Sequence, residues 1–341
     1  MPGRLIDPAI LFAPLSGAKS LGLAVSGGAD SLALMLLAAR WGDADPDAPK
    51  LYVYSVDHGL RPEAAAEVAF VLAEAARLGL PASGLRWDGA KPATGLSEAA
   101  RSARYRLIGE AMQRDGASIL VTAHHLDDQA ETVLMRLAHG SGLAGLRGMA
   151  PLAEVEGVTV ARPLLGIARA ELAALVAEAG LTPVADPSND DLHYERVRWR
   201  QAMPQLAALG LDAGRLALFA ARAGEAHEAI AHIAETTIGR HAVPLGDGVA
   251  MPTEALSDLP RAVLVEVVGR LLERAGGARK RRQLAQIELL ALRLQGAAAL
   301  KRTSLHGSVI ASDGTTVSFR KEPARRPRVS PSAEINREGR N

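Results

Sequence analysis

The chain has 341 residues, 48% of them hydrophobic and 23% charged, with a formal net charge of +1; that is enough apolar matter for two packed domains and argues against global disorder. It contains no cysteine, which excludes disulfides, thiolate zinc sites, iron–sulfur clusters and thiol nucleophiles. The early apolar stretch from Ala9 is broken at Pro14 and no run reaches the ~18 residues of a membrane span, so the expected location is the cytoplasm, with no membrane partner.

In chain order, residues 21–25 read as a buried strand and 31–40 as a helix that is apolar on nearly every side. A second strand is predicted over 51–56, a helix with proline in its first turn over 62–78, a weaker strand over 81–87 and a capped helix over 97–112. A strand over 118–122 leads to a helix over 127–138, whose Ala130, Val133, Leu134, Leu137 and Ala138 share one face. A glycine-rich segment over 140–148, a short strand over 158–161 and a helix over 169–179 ended by Gly180 follow. This alternation predicts an α/β fold with a Rossmann-like parallel sheet.

Beyond about residue 190 the character changes to a mainly helical C-terminal domain, with long helices over 211–239, 255–275 and 280–295 and a Pro/Gly link over 241–248. Polar–apolar alternation over 303–319 predicts a small hairpin turning at Asp313-Gly314, and the arginine- and proline-rich tail over 321–341 has little to bury. The expected division is a catalytic nucleotide-binding domain over 1–205, a helical domain over 206–300, the hairpin over 301–320 and a disordered basic tail over 321–341.

The strongest local signal is Ser26-Gly27-Gly28-Ala29-Asp30-Ser31 between a strand and a helix. Backbone N–H groups and the positive end of the helix attract phosphate there, and two glycines let the backbone approach it. The loop has neither the lysine of a Walker A sequence nor the spacing of a dinucleotide fingerprint. Asp30 beside phosphate makes sense with Mg²⁺ between them; the bland alternative is a glycine turn with Asp30 favoured by the helix dipole. A second polar cluster, Asp57-His58-Gly59, ends the second strand, and a third, His124-His125-Leu126-Asp127-Asp128, follows the strand over 118–122. Taken singly, the second could be a turn closing a strand, and the third could suggest a metal site or simple helix capping by Asp127 and Asp128. In an open parallel sheet, however, ligands bind outside the carboxyl ends of the strands, where all three clusters would meet.

Ser-Gly-Gly-x-Asp-Ser after a strand resembles the PP-loop of the N-type ATP pyrophosphatases, which implies ATP as substrate and adenylation of a carbonyl oxygen with release of pyrophosphate. The segments Val56-Asp57-His58-Gly59-Leu60-Arg61, Ala123 to Thr132, Gly140-Ser141-Gly142-Leu143-Ala144-Gly145-Leu146, Glu98 to Tyr105, Arg162-Pro163-Leu164-Leu165 and Asp186-Pro187-Ser188-Asn189 follow in order. Together they resemble the tRNA(Ile)-lysidine synthase family over about residues 20–205. That resemblance implies a ligase joining free L-lysine to C2 of the wobble cytidine of a tRNA(Ile) with CAU anticodon, through an adenylated tRNA. It also makes a homodimer reasonable. His139 stands where an arginine is usual and Val197 where an asparagine is common, which touches details of tRNA contact and not the class.

The resemblance implies ATP binding by Ser26, Gly27, Gly28, Ala29, Asp30, Ser31, Asp57 and His58, with Asp30 on Mg²⁺. His124, Asp127 and Asp128 are candidates for lysine binding and removal of its proton. Arg101 and Arg104, one helical turn apart, and the alternating Arg196, Arg198 and Arg200 are candidates for phosphate of ATP or tRNA; the alternative is a solvated face. The run Arg279-Lys280-Arg281-Arg282 carries the same pair of readings. A tRNA-thiolating enzyme would need cysteines that this chain lacks. An amide-forming synthetase would have no use for the histidine–aspartate cluster, and a catalytically inert tRNA binder would have no use for Asp30.

Overall fold

A computed structural model describes residues 6–184, 191–276, 284–296 and 299–323. The chain divides into two compact units after Gly224. In the first, α1 (Pro8–Phe12) and a 3-10 turn lead into β1 (Ser20–Ala24), α2 (Ala29–Ala44), β2 (Lys50–Asp57), α3 (Ala64–Arg77), β3 (Ala82–Arg86), α4 (Leu96–Asp115) and β4 (Ile119–Val121). There follow α5 (Leu126–Ala138), α6 (Leu143–Leu146), β5 (Leu152–Val155), β6 (Val158–Ala161), a 3-10 turn over Pro163–Gly166, α7 (Arg169–Glu178), α8 (Glu195–Ala208) and α9 (Ala213–His241), the last running on past the division.

The sheet order is β3-β2-β1-β4-β6-β5. All neighbours are parallel except β5, which pairs antiparallel with β6. This is the expected α/β fold, and every predicted strand of the first half is present. The edge strand β5 was not foreseen; it turns back into β6 through Glu156 and Gly157, both at positive φ.

Burial explains why the central strands and α2 read as apolar throughout. Leu21 and Leu23 of β1 pack with Leu32, Leu34, Met35 and Leu37 of α2, while Tyr54, Tyr105, Ile108, Leu120 and Val160 form a separate buried cluster. A parallel sheet covered on both faces has no polar side to show. Phe12 stacks on Trp41 with ring centroids 5.0 Å apart, closing the far end of α2. α8 packs on α5, so the boundary expected at residue 205 falls inside a helix that belongs to the first unit.

The second unit combines helices with a five-stranded antiparallel sheet, a larger β element than the hairpin expected from sequence. Its strands are β7 (Val243–Leu245), β8 (Gly248–Pro252), β9 (Leu300–Leu305), β10 (Ser308–Ser312) and β11 (Thr316–Lys321), in the order β7-β8-β11-β10-β9. The turn at Asp313-Gly314 does join β10 to β11. The segment expected as a link is the β7–β8 hairpin. The helix expected over 255–275 is α10 (Glu254–Ser257) and α11 (Arg261–Arg274), separated at Pro260, and α12 (Leu284–Gly296) follows. Val267, Leu271, Leu290, Ile310 and Phe319 share its core. The run over 279–282, the segment over 186–189 and the tail from residue 324 lie outside the described residues.

Candidate active site at the strand tips

The first tip follows β1. Val25 N–H still bonds Tyr54 O at 3.0 Å, and the chain then turns sharply into α2. Gly27 has φ +87°, and a Cβ there would come within 2.9 Å of Val184 Cγ2, so glycine is required on two counts. Gly28 caps α2, leaving the N–H groups of Gly28, Ala29 and Asp30 at a positive helix end. Ser26 and Ser31 brace the loop: Ser26 N–H donates to Ser31 Oγ at 3.1 Å, and Ser31 Oγ donates to Gly28 O at 2.9 Å.

Asp30, in the first turn of α2, reaches the third tip. Its Oδ2 lies 3.4 Å from Nε2 of His125, the cap residue of α5, whose side chain is 1% exposed. His125 and Asp128 also exchange capping hydrogen bonds: His125 N–H to Asp128 Oδ2 at 3.2 Å and Asp128 N–H to His125 Nδ1 at 3.3 Å. Burial works against charge on His125, but the bond to Asp30 and the carboxylates of Asp128 and Asp127 outweigh it and raise its pKa. Burial likewise works against charge on Asp30, and the bond and charge of His125, with Arg169 and Arg200 behind, more than compensate and lower its pKa. The other oxygen of Asp30, Oδ1, is buried without a hydrogen-bond partner.

That orphaned oxygen fits a cation. No group of three or more His, Asp or Glu among the described residues could hold a metal by itself. Mg²⁺ commonly needs only one or two carboxylates when phosphate oxygens and water complete its shell, and Asp30 beside a phosphate-binding loop supplies such a place.

The paired histidines have separate roles. His124 turns away from Asp30, with Nδ1 2.9 Å from Thr122 Oγ1. Burial, with Arg162, Arg196 and Arg104 added and Asp128 opposing, holds its pKa down at about 4, so it is neutral near pH 7. Asp127 Oδ2 accepts from Arg169 N–H at 2.9 Å, tying α5 to the start of α7.

The second tip, after β2, is a tight turn: Asp57 Oδ1 accepts from Gly59 N–H at 2.7 Å. His58 packs edge-on to Trp87, with centroids 6.4 Å apart, and its Nδ1 is buried without a partner. Burial lowers its pKa, and Arg104 adds to the effect. Arg104 therefore acts on both His58 and His124, and Asp30 meets His125, so the three tips share one end of the sheet.

The candidate arginines fall into two groups. Arg101 and Arg104 of α4 lie 5.0 and 5.5 Å over the ring of Tyr105. Arg162, which sequence reasoning quoted in a motif but did not place in the site, joins them. It is buried, donates to Ala150 O at 2.8 Å and keeps a buried Nε without a partner. Arg196 and Arg200 of α8 instead grip Glu131, a 1% exposed carboxylate on α5, at 3.4 and 2.8 Å. Arg198 donates to the carbonyls of Leu192 and His193 at 2.8 and 3.1 Å.

Glu131, His125 and Arg169 were also missed as site residues. The available signal was spacing, since Asp127 and Glu131 are four apart on one helix. Both carboxylates, with Arg169 and Arg200, line a cleft of about 310 Å³. Its other wall is apolar, made by Met203, Pro204, Ala207 and Ala213.

Comparison with known proteins agrees with this geometry. The PP-loop domain family matches residues 6–206. A tRNA(Ile)-lysidine synthase of Rhodopseudomonas palustris is 47% identical over 335 residues, which are 94% of this chain and 95% of the relative. Another, of Bradyrhizobium diazoefficiens, is 44% identical over 339 residues and covers 93% of each chain. Among solved structures, the U34-tRNA thiolase NcsA from Methanococcus maripaludis, determined with its 4Fe–4S cluster, superposes with a TM-score of 0.54 at 16% identity, covering 64% of this chain and 77% of that one. That likeness is one of fold, and this chain has no cysteine with which to ligate a cluster. A phosphate loop backed by a histidine–aspartate cap, and close relatives along nearly the whole length, place this chain in the tRNA(Ile)-lysidine synthase family of PP-loop enzymes.

Proposed function

We propose that the chain joins free L-lysine to C2 of the wobble cytidine of a tRNA(Ile) with CAU anticodon, consuming ATP and releasing AMP and pyrophosphate. The observation that carries this reading is the junction of the phosphate loop with the α5 cap, Asp30 Oδ2 to His125 Nε2 at 3.4 Å. It supports the reading by joining the glycine turn before α2 to the acidic start of α5, whose Asp127 lines the cleft.

The chemistry divides into two displacements. In the first, the C2 carbonyl oxygen of the cytidine attacks the α-phosphorus of ATP and pyrophosphate leaves. Gly27, Gly28 and the start of α2 hold the phosphates through backbone N–H groups. Asp30 would hold Mg²⁺, which when bound neutralises phosphate charge. His125 positions Asp30 by occupying Oδ2 and leaving Oδ1 for the cation. Asp57 shapes the turn beside the nucleotide, and His58 faces it as a neutral imidazole at neutral pH.

In the second displacement the ε-amine of lysine attacks C2, and AMP leaves with the original C2 oxygen. A lysine ammonium has a reference pKa of about 10.4. It must first surrender one proton, which passes to water, and the nitrogen becomes acidic enough to lose another to a carboxylate once the new C–N bond forms. Asp127, which lines the cleft and lies 3.7 Å from the ring of His125, is the acceptor the geometry favours. His124, with a pKa of about 4, is suited to accept a hydrogen bond and poorly suited to hold a proton.

The cleft takes the lysine: Asp127 faces the ε-nitrogen, Met203 and Pro204 wall the aliphatic stem, and Arg200, two of whose five N–H groups go to Glu131, faces the carboxylate. Its volume of about 310 Å³ falls at the small end of ligand sites, roughly 300–1,000 Å³. Arg101, Arg104 and Arg162 are assigned to tRNA phosphate. A cytoplasmic enzyme, homodimeric as the family resemblance suggests, completes the reading; light scattering checks the dimer. The functional test is incubation of the whole chain with ATP, labelled lysine, tRNA(Ile) with CAU anticodon and the methionine tRNA. Label is expected in the isoleucine tRNA alone; ATP consumption with no label in either tRNA would defeat the assignment.

A further inference from the structure

The cleft beside Asp127 has a feature that its side chains do not account for. Arg200, Met203, Pro204 and Ala207 are spaced i, i+3, i+4 and i+7, so one face of α8 forms its wall. Pro204 lies inside that helix, which continues through it to Ala208. Proline has no N–H, so the carbonyl of Arg200, four residues earlier, loses its helical donor, and the proline ring pushes that carbonyl outward. Interior proline destabilises a helix relative to alanine. Here the cost falls on the face that borders the cleft.

Both carboxylates that line the cleft are already engaged. Glu131 is buried and bonded through both oxygens to Arg200, at 2.8 and 3.4 Å, with Arg196 also 3.4 Å from Oε2. Asp127 is engaged at the far end of the cleft from the Arg200 side chain, by His125 at 3.7 Å and by the N–H of Arg169, which belongs to that same end. An amino acid with its side-chain nitrogen at Asp127 and its carboxylate at Arg200 still has an α-ammonium to satisfy, and a buried ammonium left unpaired is expensive.

We infer that Pro204 is a positioning residue: it frees the carbonyl oxygen of Arg200 to accept a hydrogen bond from the α-ammonium of the bound lysine. This rests on the reading of the cleft as the lysine site. It makes the α8 wall a reader of α-amino acids, setting lysine apart from simple alkyl amines that would also reach the reaction centre.

The test is Pro204→Ala in the full chain, which restores an N–H to the Arg200 carbonyl and relieves the helix, so that the fold is retained and its melting temperature holds or rises. The lysine KM should rise about tenfold, with the ATP KM and kcat unchanged. The inhibition constant of ε-aminocaproate, which lacks the α-amine, should be the same in both proteins. An unchanged lysine KM overturns the inference, and so does an equal loss for lysine and ε-aminocaproate, which would report only a lost wall contact. Met203→Trp, which fills the cleft, separates the two levels. If it blocks lysine while Pro204→Ala does not, the carbonyl role fails and the cleft stands; if neither variant affects lysine, the cleft assignment falls and the inference with it.

Discussion

Two groups of arginines in the first unit are held in opposite ways. Arg196 and Arg200 share the buried carboxylate of Glu131, which clamps α8 to α5. Arg104 and Arg162 are pushed toward lower pKa by burial, and the charges acting on them are Tyr105 and Arg101, with no carboxylate among them. A guanidinium paired with a buried carboxylate gives part of its hydrogen-bonding capacity to structure. A guanidinium withdrawn from water beside an aromatic ring and another cation, with no carboxylate among the charges acting on it, is a cost to the free protein that an arriving anion would offset. The contrast makes α8 architectural through its clamp on Glu131, and it supports the proposal that the α4–Arg162 cluster meets phosphate.

The largest expected effect breaks the structural group. Glu131→Ala leaves two guanidiniums without their shared carboxylate and should destabilise the protein by about 3 kcal/mol, visible as a clear fall in midpoint by denaturant titration. A loss near zero would mean that Arg196 and Arg200 are not clamps.

Next comes the ligand group. Arg104→Ala should lower kcat/KM for tRNA by about 10- to 100-fold, the range of one charge-assisted contact, while leaving the melting temperature unchanged or slightly raised. The salt dependence of tRNA affinity should also flatten by roughly 0.7 in log–log slope, one phosphate's share. Arg196→Ala should leave that slope alone. Equal slopes in the two variants would erase the distinction.

The smallest effect links the groups through His124, whose pKa of about 4 reflects burial first and then Arg162, Arg196 and Arg104. Its NMR titration midpoint should rise in Arg162→Ala or Arg104→Ala, by less than the full distance to the ordinary value of about 6.5 because burial persists. The sign for stability follows from the lowered folded value. The neutral ring is favoured in the folded state, so stability is undiminished above pH ~6.5 and is lost as pH falls from there through about 4. A midpoint already near 6.5 in the unmodified protein would contradict the placement of His124.

How much of this was legible in the sequence follows the same physics. The phosphate loop was readable because glycine and serine at those positions serve backbone geometry and anion binding directly. The two histidines were not separable, because successive residues in extended chain point to opposite sides, and only the fold shows that His125 faces Asp30 while His124 faces Thr122. Arg196 and Arg200 read as free charges because their partner Glu131 is 69 residues away from Arg200 in the chain. In the second unit, Pro244 and Gly246 resembled a linker. They belong instead to β7, an edge strand where proline loses no ladder bond, and to its turn.

If the wobble base is activated through its own carbonyl oxygen at the loop of Ser26–Ser31, that oxygen must leave with AMP, and an isotope assay follows it. With tRNA(Ile) carrying oxygen-18 at C2 of the wobble cytidine, and ATP and lysine present, the released AMP should hold the heavy oxygen in its phosphate and the pyrophosphate should hold none. Unlabelled AMP, or ADP and phosphate as the nucleotide products, would contradict the account.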